Sequence, residues 1–98
     1  MSKLSQLEPQ SVFYYFEKIA GIPHGSRNTK AISDYCVEFA KEHNLRYIQD
    51  ESNNVIIFKE ASPGYEKAEP VVLQGHLDMV CVKDADAMID MEKEGLDL

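Results

Sequence analysis

The stretch Val71-Val-Leu-Gln-Gly-His-Leu-Asp-Met-Val80 constrains the fold more than any other part of the chain. It is apolar at successive positions, not at alternate ones, so a strand made of it has two hydrophobic faces. Such a strand is stable only inside a sheet that is covered on both sides, which is the habit of α/β domains. The spacing therefore predicts a buried strand over residues 71–80. The polar end of the run, His76-Leu-Asp78, then lies where ligands gather in open α/β sheets, beyond the carboxyl ends of strands.

The rest of the chain supplies helices and further strands for such a layer. From Pro9 to Ala20 the apolar residues Val12, Phe16 and Ile19 recur at helical spacing, with Tyr15 beside them. Pro9 suits a first turn and Gly21 an end. Gly21-Ile-Pro-His-Gly-Ser26 reads as a loop. A second helix is expected from about Thr29 to His43, capped by Asn28 or Ser26. Its apolar stripe is Ile32, Tyr35, Cys36, Phe39 and Ala40, and Asn44 suits a left-handed terminator. The period then changes. Leu45–Asp50 and Val55–Lys59 read as strands joined by the polar turn Glu51-Ser-Asn-Asn54, a β-hairpin. Residues 61–70 are a polar loop. Residues 83–98 carry many acids and few apolar residues, and read as a solvated loop or weak helix.

The expected fold class is α/β, with helices flanking a mixed β-sheet. Two helices and three strands leave that sheet open. Residues 1–98 therefore read as a cut piece of a longer domain.

Charge and cysteine content narrow the function. Ten basic and 17 acidic residues give a formal net charge of −7 with no basic cluster. That argues against nucleic acid or an anionic membrane as partner. No run approaches the roughly 18 apolar residues of a membrane span. The N-terminus lacks the apolar core of a signal peptide, so a cytoplasmic location is expected. The two cysteines, Cys36 and Cys81, form no Cys-x-x-Cys pair and read as reduced, structural thiols, Cys81 as a buried one.

Chemistry concentrates at His76 and Asp78. In a strand these two point to the same side. A neutral imidazole is a good zinc ligand, and a nearby carboxylate can orient it. Gly75 removes a side chain beside them, so another backbone could approach closely. The tripeptide alone leaves a structural histidine as the alternative. Other candidates carry weaker signals. His24 sits in a Pro-His-Gly loop that either lies on the surface or faces the site. His43 suits a helix C-terminus. Ser26 and Ser62 lack the strand–turn–helix context of a serine nucleophile. Cys81 is a conceivable thiolate ligand. The acids of residues 84–97 lack calcium-loop spacing.

The run from Val71 to Val80 closely resembles the first metal-ligand motif of the aminoacyl-histidine dipeptidases, carnosinase-like members of the co-catalytic zinc metallopeptidases. The resemblance covers residues 4 to about 83. It includes Leu4-Ser-Gln-Leu-Glu-Pro9, Ile22-Pro-His-Gly-Ser26, Ile32-Ser-Asp-Tyr35, Phe39-Ala-Lys41, Gln49-Asp50, Asn54-Val-Ile-Ile57 and Pro63-Gly64. Arg27-Asn-Thr-Lys30 departs from it, because the family usually carries an acidic residue there. The resemblance implies His76 as a metal ligand and Asp78 as the carboxylate that orients the site for catalysis. It implies that residues 1–98 are the N-terminal part of a metallopeptidase catalytic domain, and that the longer parent hydrolyses dipeptides of the Xaa-His type such as β-alanyl-histidine. Two zinc ions would activate a bridging water, with Co or Mn as substitutes. The bridging Asp, the general-base Glu and the remaining ligands have no matching positions here, and Glu92 and Glu94 fit no such role. The chain alone is therefore expected to be inactive, and the resemblance allows a homodimeric parent. Two rival readings are a broader di- or tripeptidase of the same superfamily, and a non-catalytic fragment or interaction module.

Overall fold

The computed structural model describes residues 3–98. They contain two helices and one two-stranded sheet, in the order α1 (Gln10–Ala20), α2 (Lys30–Glu42), β1 (Arg46–Gln49) and β2 (Val55–Phe58). The chain divides into two compact units. The first joins the described residues up to Ile32 to Asp78–Leu98; the second is Ser33–Leu77.

In the first unit, α1 starts after Pro9, as expected from a residue whose missing N–H costs nothing at a helix start. The helix ends at Gly21, whose N–H donates to the Glu17 carbonyl (3.0 Å). Gly21 itself keeps right-handed helical geometry. The space that matters is at Gly95: a Cβ there would strike the Gly21 backbone, so these two chain segments meet only because Gly95 is bare. The Leu96 N–H donates to the Ala20 carbonyl beside that contact (2.7 Å). Lys3 adds an ion pair to Asp97 (2.5 Å), and its backbone N–H donates to Glu17 (2.7 Å). The expected apolar stripe of α1 is not core. Val12 and Phe16 are more than half exposed, and Ala20 is the buried residue of the helix. Periodicity marks an apolar face, but burial needs a second surface, and the described residues place little against this one.

In the second unit, Val37 and Ala40 are buried on α2. Ser33 is fully buried too, and its Oγ accepts a hydrogen bond from Gln49 Nε2 of β1 (2.8 Å). The same amide donates to Asp34 Oδ1 (3.0 Å), so one β1 side chain ties the sheet to the helix. Asn44 ends α2 at φ 56°, as its short polar side chain permits. β1 and β2 pair antiparallel with Arg46 opposite Phe58 and Gln49 opposite Val55. The turn between them uses Asn53 at φ 68°. Across the ladder the Arg46 guanidinium lies 3.9 Å from the Phe58 ring centre, a cation–π pair.

The α/β reading holds, and the hairpin and both helices fall where expected. The sheet, however, is two-stranded and antiparallel, and the stretch 71–80 is not a buried strand. Val71, Val72 and Leu73 are 83%, 85% and 94% exposed. A strand is a property of a ladder, and residues 71–78 have no partner strand among the described residues. Gly75 likewise meets nothing within 4 Å of an added Cβ, so the close approach expected there is absent.

Candidate metal centre

The run does make one sheet-like contact, at its far end. Gly25 and Met79 form an isolated parallel bridge. The Met79 N–H donates to the His24 carbonyl (2.9 Å), and the Ser26 N–H donates to the Met79 carbonyl (3.2 Å). The loop after α1 and the segment around Asp78 are therefore clipped together, although 52 residues of sequence separate Ser26 from Asp78.

Alternation sorts the side chains of this clip onto two sides. Gly25, Met79 and Cys81 belong to one. There a Cβ on Gly25 would come within 2.5 Å of Cys81 Sγ, so any larger residue needs the thiol to swing aside. His24, Ser26 and Asp78 belong to the other. On that side the Ser26 hydroxyl donates to Asp78 Oδ2 at 2.6 Å, the short length of a hydroxyl–carboxylate bond. His24 is half-buried. Its Nδ1 lies 2.6 Å from the Ile22 carbonyl oxygen and must donate to it, so a neutral ring presents Nε2 as acceptor. An open groove of about 700 Å³ adjoins the clip, lined in part by Gly25, Arg27, Met79, Cys81, Met91 and Lys93. Arg27 takes φ 68°, and the neighbouring Asn28 amide donates to the Glu92 carbonyl (3.0 Å).

The sequence-derived candidates meet different fates. Asp78 is half-buried and hydrogen-bonded. His76 is exposed and falls in the other compact unit. Cys81 is exposed, not buried as expected, because the segment around it lacks the flanking strands of a sheet. Cys36 is half-buried, and that burial pushes its thiol above the usual range. His43 sits past the end of α2, where Nδ1 donates to the Phe39 carbonyl (3.0 Å) and the ring stacks on Phe39 (4.2 Å between centres). Sequence reasoning misses Ser26 as a partner of Asp78, offering it as a helix cap and discounting it as a nucleophile. No local signal marks a contact made across 52 residues.

An imidazole and a carboxylate are donors that suit zinc. Yet no three His, Cys, Asp or Glu side chains converge among the described residues in a way that could hold a metal ion. The donor types fit; their number does not complete a centre.

No protein-family model matches the chain. Over 94 residues it is 44% identical to the cytosol non-specific dipeptidase of Escherichia coli (strain K12), a match that covers 96% of this chain and 19% of that protein. It is also similar to the crystal structure of aminoacylhistidine dipeptidase from Vibrio alginolyticus. That match has a TM-score of 0.88 and 38% identity, and covers 96% of this chain and 19% of the other. The chain thus spans about a fifth of the length of these relatives. The resemblance read from the sequence is borne out: the homologues are dipeptidases.

Proposed function

We propose that this homologue of the dipeptidases supplies one part of a metallopeptidase active site: His76 as a zinc ligand and Asp78 as the carboxylate that helps orient the site. The observation carrying the proposal is the Gly25–Met79 clip with its Ser26–Asp78 hydrogen bond. It gives a defined place and a fixed partner to a carboxylate two residues from His76, in a chain whose relatives hydrolyse dipeptides by name. The reaction proposed for the longer protein is hydrolysis, in the cytoplasm, of dipeptides of the Xaa-His type such as β-alanyl-histidine. Zinc is the proposed metal, and Co or Mn its substitutes. The partner is the dipeptide, and the longer protein can be a homodimer.

The described residues offer too few converging donors for a complete centre, so no hydrolytic step is assigned to this chain alone. Its own contribution is positional. His76 offers an imidazole, Ser26 and the clip hold Asp78, and Ser26 also lines the groove beside the clip.

A broader peptidase specificity is the second reading, favoured by the word "non-specific" in the name of the Escherichia coli relative. One experiment addresses both. A chimera is made in which this chain replaces the matching segment of that dipeptidase. We expect hydrolysis of dipeptides by the chimera, loss of it in His76→Ala, and none from the 98-residue chain by itself. A panel of Xaa-His and other dipeptides ranks the two specificities. Full activity in the His76→Ala chimera would remove His76 from the site. Hydrolysis by the isolated chain would show that it needs no complement.

A further inference from the structure

We infer that Ser26 is a positioning residue for Asp78, its hydroxyl holding the carboxylate in a single orientation. The inference rests on the proposed role of His76-Leu-Asp78, and the geometry behind it stands apart from any metal.

The bond is short and charge-assisted, at 2.6 Å. It is not a local turn contact, since 52 residues intervene. It follows from register. In the parallel clip Gly25 pairs with Met79, which puts Ser26 and Asp78 on one side; a slip of one residue would put them on opposite sides. On the other side Gly25 leaves room for the Cys81 thiol, which a larger residue would have to displace. Gly25 and Ser26 therefore act as a pair. The glycine allows the two backbones to meet, and the serine uses that approach to grip the carboxylate. With Oδ2 fixed, the plane of the carboxylate and the direction of Oδ1 are fixed too. A carboxylate that is to orient a metal site must itself be oriented, and partners of this kind commonly carry tenfold or larger effects on a site. The hydroxyl matters here as a donor, so threonine should replace it and alanine should not.

Ser26 is exposed, so its removal leaves no buried orphan group and does not test folding. The test is NMR on the metal-free 98-residue chain. Side-chain couplings of Asp78 report its rotamer, and amide exchange at Met79 reports the clip. We expect one Asp78 rotamer in the native chain, rotamer averaging in Ser26→Ala, and return of the single rotamer in Ser26→Thr. Met79 should keep its protection in all three. An averaged Asp78 in the native chain, or an unchanged one in Ser26→Ala, would overturn the inference. Averaging that comes with loss of Met79 protection would also overturn it, since Ser26 would then be holding the clip and not the carboxylate. Co(II) titration of the chimera and of its His76→Ala form tests the metal reading separately, by visible absorption. A bound spectrum that survives His76→Ala removes the metal role and leaves the Ser26 result standing on its own.

Discussion

At the scale of single residues, the clip around Gly25 makes the sharpest demand. An added methyl there meets Cys81 Sγ at 2.5 Å and its Cβ at 3.6 Å. Gly25→Ala forces the exposed thiol out of its place and should destabilise the first unit by about 0.5–1.5 kcal/mol, the scale of a displaced rotamer. Cys81→Ala deletes the clashing atom, so the double variant should recover most of the loss. A double-mutant cycle by urea denaturation measures this, and additive effects would deny the contact. The two thiols give a second expectation. Cys81 is exposed, whereas Cys36 is half-buried with a thiol held above its usual range by desolvation. The thiolate is the reactive form, so at neutral pH iodoacetamide should label Cys81 well before Cys36. Mass spectrometry of timed samples reads the order directly. His76 and Asp78 are legible as candidates because their chemistry is written in their own side chains, although the tripeptide alone leaves a structural histidine as the alternative and only the resemblance gives them a metal-site role. Ser26 is not, because its role exists only once residues far apart in sequence have been brought together.

Among the elements, the hairpin was the most legible and carries the clearest pH dependence. Its turn is organised by one side chain. Asp50 Oδ1 accepts from the backbone N–H groups of Ser52 and Asn54, both at 2.9 Å, while Oδ2 accepts from Asn54 Nδ2, also at 2.9 Å. The Asn54 side-chain bond, followed by its backbone bond, holds the Asp50 carboxyl below its ordinary value. A depressed carboxylate pKa adds stability that is fully present above the unfolded-state value, about 3.9, and is lost as pH falls through the lower folded value. The hairpin should thus loosen at acid pH below that ordinary value. Asp50→Asn should flatten this part of the pH profile, as followed by amide exchange in β1 and β2. The two asparagines with positive φ, Asn44 and Asn53, were equally readable, since short polar side chains favour that geometry locally. The stretch 71–80 was not readable in the same way. Its apolar pattern states what environment the segment requires, whereas strand structure also requires a neighbour to bond with. The stripe on α1 fails for the same reason: Val12 and Phe16 line up correctly yet stay exposed.

For the molecule as a whole, two opposing properties decide its behaviour in solution. Val71, Val72 and Leu73 stand 83–94% exposed next to one another, and Val80 and Val82 are each 76% exposed. An extended apolar segment without a ladder is a template for another chain, and its backbone adds hydrogen bonds to the hydrophobic gain. Against this stands the net charge of −7, which keeps copies apart at low ionic strength. Salt weakens that repulsion, since the screening length falls from about 30 Å at 0.01 M to about 8 Å at 0.15 M. Hydrophobic attraction does not weaken with it. The purified chain should therefore self-associate more as salt rises, the reverse of association driven by opposite charges. Val72→Lys places a charge in the middle of the exposed run and should shift the chain towards monomer at every ionic strength. Sedimentation velocity across a salt series checks both. A native chain that stays monomeric at high salt would mean that residues 71–73 are covered in solution. The segment would then have found within the chain the partner that its sequence calls for.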